Sequence, residues 1–66
     1  MGEMRRVAAH EVHVDGRILE QAVVELLSGK VVNYYVFTDE LPMTEWLGGT
    51  IEIVGEFAYW NGKRLE

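Results

Sequence analysis

The residues best suited to chemistry stand in one short run, His10-Glu11-Val12-His13-Val14-Asp15, the only cluster of metal-capable side chains in the chain. It is not the helical zinc-protease motif, which needs two residues between Glu and the second His where this run has only Val12. On a strand, His10 and His13 face opposite ways, while Glu11, His13 and Asp15 share a face at spacings of roughly 7 Å. Such a trio holds a metal only with help from another strand or subunit. The plainer reading, adopted here, is an exposed polar face opposite a buried valine face, with no metal and no cofactor. A metal-binding protein or metal-dependent enzyme using Glu11, His13 and Asp15 is the alternative.

Nucleophilic catalysis has little to work with. Ser28 falls in an expected turn with no His or acid placed near it by sequence. The glycines, including Gly48-Gly49, form no phosphate loop. Carboxylate pairs can be drawn among Glu40, Glu45, Glu52 and Glu56, but with eleven acids such pairs arise by coincidence. The expectation is a protein that is not an enzyme. Its aromatic set of Tyr34, Tyr35, Phe37, Trp46, Phe57, Tyr59 and Trp60 is dense for the length and serves chiefly the core. Tyr34, Trp46 and Trp60 are the candidates for an exposed anchor that binds a protein partner.

The elements that must position these residues follow from alternation and turn chemistry. From Met4 to Val14 the even positions Ala8, His10, Val12 and Val14 form one face of a strand, and Glu11, His13 and Asp15 the other. Asp15-Gly16 then supplies a turn. Ile18, Leu19, Ala22, Val23, Leu26 and Leu27 repeat at helical spacing, so a helix over Ile18–Leu27 in an α+β fold is one reading. Against it stand the β-branched pair Val23-Val24 and the lack of a good N-cap. The next run, from Val31 to Phe37, has strand composition, and Ser28-Gly29 makes a short hairpin connection. With a two-residue loop, Leu26 faces Val31, Val24 faces Asn33 and Ala22 faces Tyr35, and both sides of the hairpin are apolar. A bulge shifts the register without giving the hairpin a wet side.

Past Thr38 the alternation stops. Pro42 suits a loop or one short helical turn near Pro42–Leu47, closed by Gly48-Gly49. Thr50 to Trp60 reads as one strand, with Ile51, Ile53, Phe57 and Tyr59 on one side and Gly55 at a bulge or bend. Asn61-Gly62 is the strongest hairpin signal, setting Trp60 against Lys63, Tyr59 against Arg64 and Ala58 against Leu65.

The fold expected is therefore all-β, a single domain over residues 1–66: a small sandwich or partly open barrel of about six antiparallel strands. Sixty-six residues without a cysteine have neither a disulfide nor a thiolate metal site as a staple. Two apolar sheet faces in so short a chain call for a second subunit, so a homodimer is expected. The net charge of −5 argues against nucleic acid. No run approaches the ~18 apolar residues of a membrane span, and residues 1–15 do not read as a secretory signal, so a cytoplasmic location is expected.

The stretch Val12-His13-Val14-Asp15-Gly16-Arg17-Ile18-Leu19, then Ala22-Val23-Val24-Glu25, then Gly29-Lys30-Val31-Val32, resembles the opening β-segment of amidohydrolase-superfamily enzymes such as dihydroorotases. It looks equally like short uncharacterised bacterial proteins that share such segments. The enzymes' His-x-His metal motif and barrel are missing, so no metal role carries over to His10 or His13. The resemblance implies a stand-alone unit similar to their composite β-domain. It also adds the reading of an accessory subunit for a larger enzyme to that of a self-contained, non-catalytic association protein.

Overall fold

The computed structural model describes residues 4–38 and 44–66. Their strands are β1 (Met4–Val14), β2 (Arg17–Leu27), β3 (Lys30–Val36), β4 (Glu45–Trp46), β5 (Thr50–Val54), β6 (Phe57–Trp60) and β7 (Lys63–Arg64). They make one coiled sheet in the order β3-β2-β1-β5-β6-β7, with β4 beside the first half of β1. The chain is all-β; the sheet is open and single, so the sandwich alternative is not realised. Ile18–Leu27 lies within β2, and the apolar spacing that suggests a helix serves a strand instead. Of the expected helical turn, Pro42 and Met43 lie outside the described residues, and Glu45-Trp46 is extended. No helix among the described residues is long and apolar enough to cross a membrane.

The turns follow their chemistry. Asp15-Gly16, Ser28-Gly29 and Asn61-Gly62 all have positive φ at both residues, the backbone of the type I′ turn that matches strand twist. Tyr59 pairs with Arg64 and Trp60 with Lys63, and the Leu65 N–H donates to the Ala58 carbonyl, as the Asn-Gly signal requires. Thr50 to Trp60, in contrast, is not one strand. Gly55 has φ 62°, and Val54 pairs with Phe57 across a two-residue turn. This reversal keeps Ile51 and Ile53 on the core side, brings Ala58 and Trp60 to join them, and sends Phe57 and Tyr59 to the outside.

The apolar pattern of the first hairpin is resolved by a corner. Along β1, core residues are odd up to Val7 and Ala9, then even at Val12; along β2 they are even down to Ala22, then odd at Leu19. The register does not slip, for Ala9 pairs with Ala22 and Glu11 with Glu20. Both strands turn over together at His10 and Gln21, where Gln21 has φ 52°. Residues that would sit on opposite faces of a flat ribbon thus reach one core. Ala8, His10, Val12 and Val14 do not form one side: Ala8 and His10 lie outside the corner, and Val12 lies within.

β1 is the central strand. It runs antiparallel to β2 on one edge, and parallel to β4 and then β5 on the other, so the sheet is mixed where an antiparallel one is expected. β4 and β5 act as one strand interrupted at Leu47-Gly48-Gly49. The interruption keeps its bonds to β1, since the Leu47 N–H donates to Ala8 and the Glu11 N–H to Gly49. The coiled sheet nearly meets itself where the Val31 N–H donates to the Glu56 carbonyl at 2.7 Å. Leu65 then closes the core from the far side, and the Arg5 guanidinium holds the Glu66 carbonyl at 2.9 Å.

Leu65 is the one residue beyond the last strand that belongs to the core. Leu65→Ala is expected to lower the unfolding free energy by about 2–3 kcal/mol, a large share of what so small a domain has. Ile18→Ala, at a residue 59% exposed, is expected to change it by less than ~0.5 kcal/mol. Urea denaturation of the two variants checks this; equal midpoints would show that Leu65 closes nothing.

Candidate functional site

The outer face of the sheet, opposite the core, carries two groups of side chains. The first is aromatic and begins with Trp46. Pairing in parallel with Ala8 puts its indole on the outside. The His10 ring meets it edge-on with centroids 4.8 Å apart, and Phe37, just beyond β3, meets it edge-on at 6.4 Å. Phe37 is fixed in turn by its N–H, which donates to the Gln21 carbonyl at the corner. Trp46 nonetheless stays 52% exposed. The ring is thus both held in place and open to solvent.

The second group is polar and centres on Glu25, a carboxylate only 14% exposed. It accepts from Arg6 Nε at 3.0 Å and from the Tyr35 hydroxyl at 3.2 Å, and Asn33 Nδ2 lies at 3.5 Å. A bulge between Glu25 and Leu26 assembles it. Ser28-Gly29 sets the expected Leu26–Val31 pair, after which Val32 is the extra residue and Glu25 faces Asn33. This one-residue shift gives the hairpin the wet side that its sequence does not suggest. Tyr34 and Val24 now pair, and Tyr34 packs against the core.

The three aromatic candidates therefore part company. Trp60 packs on the core with its indole Nε1 donating to the Gly48 carbonyl at 2.9 Å, Tyr34 packs there too, and Trp46 alone lies outside. His10 and Phe37 are the partners of Trp46 that sequence reading missed. The signal for His10 was its place two residues beyond Ala8 on the same face, but the parallel pairing of Ala8 with Trp46 joins segments far apart in sequence.

Of the candidate metal ligands, Glu11 and His13 come together, with His13 Nε2 and Glu11 Oε1 at 3.1 Å. Asp15 takes the first position of the Asp15-Gly16 turn. No three His, Asp or Glu side chains among the described residues are grouped so as to hold a metal ion. An open concavity of about 530 Å³ lies along the β5–β6 hairpin, with Thr50, Glu52, Tyr59 and Asn61 in its wall and Glu52 as its single charge. Among the described residues it gathers neither a nucleophile with a base nor a pair of acids.

Two polar contacts shift proton affinities. The Arg5 guanidinium, 2.7 Å from Glu45, hydrogen-bonds the Glu45 carboxyl and holds it below the usual carboxylate range. The Tyr35 hydroxyl is pushed above the usual tyrosine range, by burial first and then by the charge and hydrogen bond of Glu25, with Arg6 opposing. Compared with protein families, with curated proteins and with solved structures, the chain finds no match.

The Tyr35 shift sets a pH dependence. A raised folded-state pKa means that the stabilisation is fully present below the ordinary tyrosine pKa and is lost as pH climbs through the folded value. Thermal unfolding across the alkaline range is expected to show a shallower decline for Tyr35→Phe than for the wild-type chain. Identical slopes would mean that Glu25 and burial place no load on the hydroxyl.

Proposed function

We propose that this is a non-catalytic association module whose contact surface is the outer patch of Trp46, His10 and Phe37, and whose partner is a second copy of the chain. The observation that carries the reading is Trp46: half exposed on the outer face, yet braced edge-on by two rings. Packing against His10 and Phe37 restricts the indole before any partner arrives, so docking costs it little further side-chain entropy. Ala8 and Val23, in the sheet beneath, are fully buried and form the support on which the ring sits rather than part of the contact surface. The polar set around Glu25 lies along the same hairpin, in the arrangement of an apolar centre with a polar rim.

Self-association suits a chain of this size. A small core supplies only a few kcal/mol, and covering an exposed indole and its neighbours adds to it without a disulfide or metal. The reading also accounts for a half-exposed Trp on a chain whose other Trp is bonded into the fold.

Sedimentation equilibrium at micromolar concentration is expected to show a reversible dimer for the wild-type chain. Trp46→Ala is expected to weaken it by about 2 kcal/mol, some thirtyfold in dissociation constant, with an unchanged unfolding midpoint under monomeric conditions. A wild-type chain that stays monomeric, or a dimer indifferent to Trp46→Ala, would sink the proposal.

A further inference from the structure

Self-association through the outer patch leaves open how two copies are aligned, and the outer edge of β3, which beyond Val31 pairs with no strand among the described residues, supplies an answer that rests on that reading. Backbone groups of an antiparallel strand point alternately to its partner and away. The Phe37 N–H donates inward to Gln21, so Tyr35 also faces β2, and Tyr34 and Val36 face away from the sheet. The bulge breaks this rhythm nearer the turn, where Val31 faces away and gives its N–H to Glu56. The Tyr34 N–H, which would otherwise be open to a neighbouring strand, is taken by the side chain of its own predecessor, Asn33 Oδ1, at 2.9 Å.

Asn33 thus occupies the place of an incoming carbonyl. The remaining edge, from Tyr34 to Thr38, carries no charge, and Val36 on it is 53% exposed. Lys30 is the only charged residue between 30 and 38, in a chain with eleven acids and a net charge of −5. Of the two end strands of the sheet among the described residues, this is the one at which two copies meet without opposing like charges. At the other edge of the sheet β7 spans only Lys63 and Arg64, and their two positive charges would repel a copy.

We infer that the outer edge of β3 is a strand-pairing surface for a second copy of this chain, and that the Asn33 side chain regulates it by capping the Tyr34 N–H. In the paired state Tyr34 of each copy lies opposite Val36 of the other. Each copy donates its Tyr34 and Val36 N–H groups to the other's Val36 and Tyr34 carbonyls, about a two-fold axis at Tyr35. The exposed Val36 side chains are covered by the facing Tyr34 rings. Phe37, the next residue along, carries the contact round toward Trp46.

The test is sedimentation equilibrium of Asn33→Val, with amide hydrogen exchange at Val36. Valine removes the cap and favours a strand, so dimerisation is expected to tighten by about tenfold, with the Val36 amide becoming protected as concentration rises. Asn33→Val combined with Val36→Pro is expected to lose the gain, because the proline removes an N–H that faces away from β2 and leaves the internal ladder intact. Asn33→Val that associates no more tightly than the wild type overturns the inference. So does a gain that persists in the double variant, or one that leaves the Val36 amide unprotected. Trp46→Ala separates the two readings: if it weakens association while Asn33→Val has no effect, the aromatic patch stands and the edge falls, and the reverse pattern retains the edge alone.

Discussion

Everything in this fold depends on the corner at His10 and Gln21. A flat two-stranded ribbon with apolar residues on both sides cannot bury them all in a chain of this length, since one sheet offers one interior. Turning both strands over at the same step, with register kept, sends Val7, Ala9 and Val12 of β1 and Val24, Ala22 and Leu19 of β2 to a common interior. The cost is a non-glycine residue, Gln21, in left-handed backbone, of order 1 kcal/mol. The return is the burial of a second set of aliphatic side chains, each contributing about 1.5–3 kcal/mol. The balance favours the corner.

The corner also determines what is left outside. Ala8 and Val23 are turned away from the interior and still fully buried, and His10, on the face of Ala8, lies beside Trp46 where Val12 has gone inside. Farther along, the bulge at Val32 gathers Arg6, Glu25, Asn33 and Tyr35 into one hydrogen-bonded set. The two irregularities share β2, the corner in its pairing with β1 and the bulge in its pairing with β3. One serves the interior, the other keeps the exterior wet.

How much of this was legible in the sequence follows from the range of each interaction. The turns at Asp15-Gly16, Ser28-Gly29 and Asn61-Gly62 depend on two adjacent residues and could be read directly, as could the strands they join and the pairing of Tyr59 with Arg64. Gly55 was read as a bend because alternation holds on each side of it, whereas the two-residue turn there reverses the chain and switches the core positions from odd, Ile51 and Ile53, to even, Ala58 and Trp60. The corner and the Val32 bulge leave no local signature: Gln21 and Val32 are ordinary strand residues, and their positions are decided by what must be buried across the sheet. The missed reversal at Gly55 is a separate matter, and it is why Phe57 and Tyr59 were set beside Ile51 and Ile53 while Ala58 and Trp60 were not. Trp46 could be singled out from its type as a candidate for exposure, and it is 52% exposed, but its neighbours His10 and Phe37 could not be named.

The position of β1 between an antiparallel neighbour and a parallel one has a kinetic side. The hairpins β1–β2, β2–β3, β5–β6 and β6–β7 each close over two residues and can form independently. Joining the two groups requires Glu11 to find Thr50 and Ala8 to find Trp46, a closure over most of the chain that no local turn assists. Until then β1 is a free edge with valines on it. Contact order therefore points to the docking of the β5–β6 unit along β1 as the slow step of folding, after the local hairpins have formed.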